Sequence, residues 1–237
     1  MRVTLHGNHV TRSSAKDNRD EESNPTSIAR LVLITMAQHS IILRAAKPTF
    51  DEGLVFARYL DEAAEGFFRF MLGRRFADII ATAYIEPNND FSHQNVTFAE
   101  CDELIVGMAS GYTAEQHRRS SGQPLKLAEG YRALRMVRVA ICCAPFRRFL
   151  DTLADGDFYL QAIAVDKELR GEGVGSTLID CIEDRARGIG STRLALDVSA
   201  KNKGARKLYE RRGMTVESGW PRLLFIPRLF VRMTKLL

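Results

Sequence analysis
The chain is poor in cysteine, with four in 237 residues, two of them adjacent (Cys142 and Cys143) and none in a C-x-x-C pair. That excludes a disulfide scaffold and a zinc ribbon, and it reads as a reducing, cytoplasmic compartment. Seventeen glycines and seven prolines exclude collagen-like or low-complexity architecture. Long apolar runs are missing as well. The most apolar stretch near the start, Leu31 to Ala37, gives way to Gln38-His39-Ser40, far short of the roughly 20 residues of a spanning helix. It also lies behind an acidic cluster, too deep for a secretory signal. The five histidines, at 6, 9, 39, 93 and 117, have no metal-ligand spacing, so surface or loop positions are the default and no metal is expected.

What is present is an ordinary globular mixture, 45% hydrophobic and 27% charged, with a net charge of +5. The charge is uneven: residues 28–114 carry −4, residues 115–153 carry +5 and residues 154–237 carry +4. A basic second half favours an anionic ligand, with nucleic acid, a membrane surface or a phosphorylated cofactor all compatible. A solvated surface that leans positive is the plainer alternative.

Residues 1–27 are polar and offer little to bury, which predicts disorder. Met36 precedes a sensible domain start, so residues 1–35 read as an N-terminal extension and 36–237 as a single domain. Ile41 opens a short strand. Asp51 is a candidate cap for a helix whose apolar positions Phe56, Leu60, Ala63, Phe67 and Met71 continue to Gly73. A second helix runs from Arg75 to Ile85. The runs Asn95–Ala99 and Leu104–Tyr112 form a hairpin around Cys101-Asp102-Glu103. Residues 115–153 are basic with helical periodicity, an insertion broken at Pro145. Phe158 to Val165 is a nearly unbroken apolar strand, buried on both faces. A helix to about Arg187, a strand Arg193–Val198, a helix Asn202–Arg212 ending at Gly213, and strands at Met214–Val216 and Leu229–Met233 follow. The order ββ, βαβα, ββ predicts a mixed α/β sheet.

The link between the buried strand and its helix holds three alternating glycines, in Arg170-Gly171-Glu172-Gly173-Val174-Gly175-Ser176. Without side chains, a ligand approaches the backbone N–H groups at the positive end of the helix dipole, an arrangement suited to pyrophosphate. Arg170 adds a guanidinium able to clamp phosphate oxygens. A glycine-rich turn with only a packing role is the bland alternative. A P-loop is excluded, because Gly175-Ser176-Thr177 has no lysine. A dinucleotide fold fits poorly: the spacing is G-x-G-x-G, and five residues separate strand from glycines, although Asp197 mimics the expected acid.

The segment Arg170 to Gly175, with Leu178 beyond, resembles the acyl-CoA signature of the GNAT superfamily of N-acetyltransferases. Leu194 to Asn202, Ala205, Leu208-Tyr209-Glu210 and Gly213-Met214 resemble the family's second block, Met214 standing where phenylalanine is usual. Both motifs fall in order within residues 158–216. The resemblance implies a mostly antiparallel sheet of about seven strands, splayed between the fourth and fifth, with flanking helices and the extra helical insertion. It implies acetyl-CoA as co-substrate, its pantetheine arm bonded to the backbone around Ile163, Ala164 and Val165 and its pyrophosphate on Gly171, Glu172, Gly173, Val174, Gly175 and Ser176. Ala205 belongs to the same cofactor-binding set. Asn202 bonds to the arm, caps its helix, or both.

The implied reaction is direct attack of an unprotonated primary amine on the thioester, with Tyr209 as general acid for the departing thiolate. Tyrosine and thiol, with ordinary pKa values of roughly 10 and 8.5, are close enough to share a proton. No base is evident: Tyr159 and Gln161 point toward the acceptor side but are poor bases, and Asp197 reads equally as a structural carboxylate. The insertion shapes amine specificity, binds an acidic partner, covers a homodimer interface, or decorates the surface. A non-catalytic acyl-CoA-binding or regulatory domain is the alternative function. Nucleic-acid binding has only charge behind it, and no membrane partner is implied.

Overall fold
The computed structural model describes residues 41–120, 152–221 and 229–237. The expected extension 1–35 and most of the insertion lie outside these residues. Strands β1 (Ile42–Ala45), β2 (Val96–Cys101), β3 (Leu104–Thr113), β4 (Asp157–Val165), β5 (Arg193–Ser199), β6 (Thr215–Trp220) and β7 (Phe230–Leu236) form one seven-stranded sheet, in the order β1-β2-β3-β4-β5-β7-β6. All neighbours are antiparallel except β4 and β5, which are parallel. This is the mixed sheet expected from the sequence.

The helices are α1 (Phe50–Ala63), α2 (Phe67–Leu72), α3 (Phe76–Ile85), α4 (Ala114–Arg119), α5 (Val174–Gly188) and α6 (Lys203–Arg211). The long first helix expected from Phe56 to Gly73 is in fact two. Glu65 (φ 54°) and Gly66 (φ 84°) adopt left-handed backbone and reverse the chain, and buried Asp61 accepts from the Arg69 N–H at 2.8 Å to start α2. The cap of α1 is Thr49 rather than Asp51. Thr49 is extended, so its hydroxyl can turn back to the Glu52 N–H, whereas Asp51 already lies in the first turn.

One face of the sheet is covered by α1 and α3, whose Phe56, Tyr59, Leu60, Ile80 and Tyr84 bury Val96, Phe98, Met108, Ala162 and Ala164. Each of these large side chains contributes about 1.5–3 kcal/mol when fully buried. Gly53 permits the crossing: a Cβ there would stand 2.8 Å from the Ala81 Cα. On the other face, α5 packs its buried Leu178 and Ile182, Leu178 against β3 at Gly107. Lys235 of β7 meets both oxygens of buried Glu183 at 2.8 Å and fastens α5 to the sheet. Among the described residues, no helix is long and apolar enough to cross a membrane.

Candidate active site: a glycine-led helix beside a parted pair of strands
Pairing between β4 and β5 runs only from Asp157↔Arg193 to Leu160↔Leu196. Beyond it, β4 stays with β3 as far as Val165, while β5 stays with β7 as far as Ser199. The two strands therefore part after Leu160 and Leu196. A register shift between β3 and β4 adds Gln161 as an extra residue at that point, and such a bulge re-aims a strand. The closed end is pinned by Arg193, which donates two bonds to Asp157, at 2.6 and 2.8 Å.

Backbone groups along the open edge follow from register. The Asp166 N–H donates to the Val106 carbonyl on the β3 side. Antiparallel alternation then spends Ala164 on β3 and turns the N–H and C=O of Ile163 and Val165 into the gap. Of the three residues expected to meet the arm, Ala164 contributes no free backbone group and packs its side chain beneath α1.

The glycine loop closes the outer end of this edge. Gly171 (φ 96°) and Gly173 (φ 88°) hold left-handed backbone, which side chains disfavour. A Cβ on either would meet nothing within 4 Å, so the space in front of them is open. Gly173 caps α5 without a side-chain bond, and the first intrahelical bond runs from the Thr177 N–H to its carbonyl. The N–H groups of Val174, Gly175 and Ser176 are the orphan donors of the first turn. Gly175 brings this turn beside the end of β4, where its Cβ would stand 3.8 Å from Val165 Cγ2. A diphosphate fits such a cradle.

Arg170 is engaged. Its Nε donates to the Val165 carbonyl at 3.1 Å and another nitrogen reaches Glu62 at 2.5 Å. It therefore spans the gap's mouth and ties the loop to α1, and phosphate clamping would require it to share or leave Glu62. Arg58 and the Tyr59 hydroxyl make a second tie to α1 through Asp166, at 3.2 and 2.8 Å.

Helix α6 supplies Tyr209. Asn202 caps it, its side-chain oxygen accepting from the Ala205 N–H at 3.0 Å; exposed, it keeps its amide donors. At the other end Arg212 donates at 2.6 Å to both the Ser176 carbonyl and Asp180, holding α6 against the first turns of α5. Nothing in the sequence marked Arg212, since an arginine before a terminal glycine is an ordinary helix end. Tyr209 is buried, its hydroxyl has no hydrogen-bond partner among the described residues, and burial alone pushes its pKa up to about 12.

The face of the gap toward α1 is polar. The Tyr159 hydroxyl donates to Asp197 Oδ2 at 3.1 Å, and Arg232 donates to both Asp197 oxygens, at 3.0 and 2.8 Å. The side chains of Asp197 and Arg232 are 2% and 3% exposed. Burial pushes the Asp197 carboxyl up while Arg232 pulls it back down. Asp197 is thus a structural carboxylate, committed to its arginine. Gln161 accepts from the buried Ser110 hydroxyl at 3.0 Å. His117 is no surface residue: it pairs with Asp90 at 2.8 Å and stacks on Tyr112. Both ends of the insertion are held nearby, by Arg118 to Asp155 at 2.6 Å and by Arg232 to Thr152 at 2.8 Å. Among the described residues, no group of His, Cys, Asp or Glu could hold a metal ion.

The parallel pair β4 and β5 thus separates beside the glycine-led first turn of α5. The family model of the acetyltransferase (GNAT) family matches residues 58–214, and the chain belongs to that family. An acetyltransferase crystal structure is 24% identical, covering 82% of this chain and 98% of its own, with a TM-score of 0.56. An N-acetyltransferase from Staphylococcus aureus Mu50 is 16% identical, covering 82% and 100%, with a TM-score of 0.55. At these identities the likeness is one of fold. No curated protein sequence matches the chain.

Proposed function
We propose that the chain transfers an acetyl group from acetyl-CoA to a primary amine by direct attack in a ternary complex. The observation that carries this reading is the adjacency of two features: the open edge of β4 ends where the uncapped first turn of α5 begins. The coenzyme supplies an activated thioester. Gly171 to Ser176 hold its diphosphate through their amides, and Ile163 and Val165 take its arm as an added strand. An N–H at the bulge stabilises the developing oxyanion, an interaction typically worth a few kcal/mol.

Tyr209 faces the departing sulfur as a hydrogen-bond donor. Its pKa of about 12, against roughly 8.5 for a thiol, opposes complete proton transfer by about 5 kcal/mol. This is a wider separation than the sequence suggested, because burial stabilises the neutral phenol. The hydroxyl therefore stabilises the sulfur chiefly by donation, and transfer goes further only as burial raises the sulfur's own proton affinity. The amine loses its proton to water, Asp197 being committed to Arg232.

Titration calorimetry with coenzyme A and acetyl-CoA, followed by free-thiol release across a panel of amines, tests the reading. Binding with turnover is expected. Binding without turnover on any amine would indicate a non-catalytic acyl-CoA-binding domain, and no association would overturn the cradle itself.

A further inference from the structure
The gap between β4 and β5 has a closed inner end. Strands in register stand roughly 4.8 Å apart, so nothing enters between Leu160 and Leu196, the last pair. On the face covered by α1, a side-chain bridge extends this closure past the backbone. Tyr159 lies opposite the small Ala195, and its hydroxyl reaches diagonally to Asp197, the first β5 residue beyond the pairing. Asp197 is in turn held by Arg232, directly opposite it on β7. The tyrosine ring rests on Tyr112, with centroids 5.5 Å apart. Tyr159 is only 4% exposed, and the ion pair behind it is equally dry.

The open edge from the glycine loop back to this bridge is Val165 to Gln161, about 13 Å at roughly 3.3 Å per residue. An extended arm anchored by its phosphates at the loop and running along that edge would bring its sulfur to the region of Tyr159, where the open edge ends. A two-carbon acyl group would need the least room there. A longer chain has to displace a buried aromatic whose hydroxyl is tied to a fixed carboxylate. We propose that Tyr159, positioned by Asp197 and Arg232, is the specificity-determining stop that confines the acyl group to two or three carbons, an inference that rests on the acyl-CoA reading of the gap.

Calorimetry on the full chain with coenzyme A, acetyl-CoA and hexanoyl-CoA tests this without an acceptor amine. Wild type is expected to bind hexanoyl-CoA at least about tenfold more weakly than acetyl-CoA. Tyr159→Ala should reduce that ratio to within about twofold, with affinity for coenzyme A unchanged, and Tyr159→Phe, which keeps the ring but loses its bond to Asp197, should give an intermediate ratio. Tyr159→Leu serves as the second variant should the alanine fail to fold. Equal binding of both thioesters by wild type, or an undiminished ratio in the folded alanine or leucine variant, would overturn the stop. Failure of coenzyme A itself to bind wild type is a separate result that removes the acyl-CoA reading.

Discussion

Replacing Gly173 by alanine separates the two reasons a glycine can stand at the head of α5. Its φ of 88° is left-handed, and an L side chain there costs about 1–2 kcal/mol. A Cβ would meet no protein atom within 4 Å, so packing adds nothing to that cost. In a domain of this size, each kcal/mol lowers Tm by about 2–4 °C, and the expected drop is roughly 2–8 °C. The methyl group would, however, occupy the open space in front of the loop that the cradle needs for its ligand, and affinity for coenzyme A should fall at least about tenfold. Gly190, beyond the other end of the same helix, provides the control: its φ is 80° and it has the same empty surroundings. Gly190→Ala should lose similar stability while binding coenzyme A as wild type does. Differential scanning fluorimetry and calorimetry on both variants read the two effects apart. Equal, undiminished affinity in the two variants would refute the cradle and leave Gly173 a structural residue only.

Tyr209→Phe removes a hydroxyl without a hydrogen-bond partner among the described residues, so kcat should fall about tenfold to a thousandfold while Tm at neutral pH stays within about 2 °C. The same change alters alkaline stability. The folded pKa, about 12, lies above the ordinary value of 10, so the folded state holds the proton more tightly and wild type loses stability between pH 10 and 12. In urea titrations across that window the phenylalanine variant should lose less. Arg212→Ala breaks two bonds between α6 and the first turns of α5, at about 1–3 kcal/mol. Its coenzyme A affinity should fall with its stability, whereas wild-type affinity would mean that α6 needs no tie to α5.

Most of what was legible in the sequence is local. The alternation of Arg193 to Val198, the glycines at 171, 173 and 175, and the Asn202 cap are each dictated by neighbours within a few residues. Where the sequence misled, a regular pattern crossed a break. Phe67 and Met71 continue the spacing of Phe56, Leu60 and Ala63, yet Glu65 and Gly66 turn the chain between them. Backbone torsion, not side-chain period, decided that boundary. The polar groups behind the gap were illegible for a different reason. Asp197 is 35 residues from Arg232 and 38 from Tyr159, and only the β4-β5-β7 order makes them neighbours.

That order also gives the buried pair its meaning. Apolar residues of similar volume often stabilise a protein as well as a buried ion pair does, or better, so stability alone is a weak reason to keep one. A tyrosine ring held by packing alone would be free to move aside when an acyl chain presses on it. The hydroxyl bond to Asp197 resists that motion only while Asp197 itself is immobile, and a bidentate arginine fixes both of its oxygens. Arg232 also holds Thr152, near the end of the insertion. The closed end of the gap and the return of the inserted chain thus share one anchor, and a change of acyl preference on substitution at Arg232 would have to pass through it.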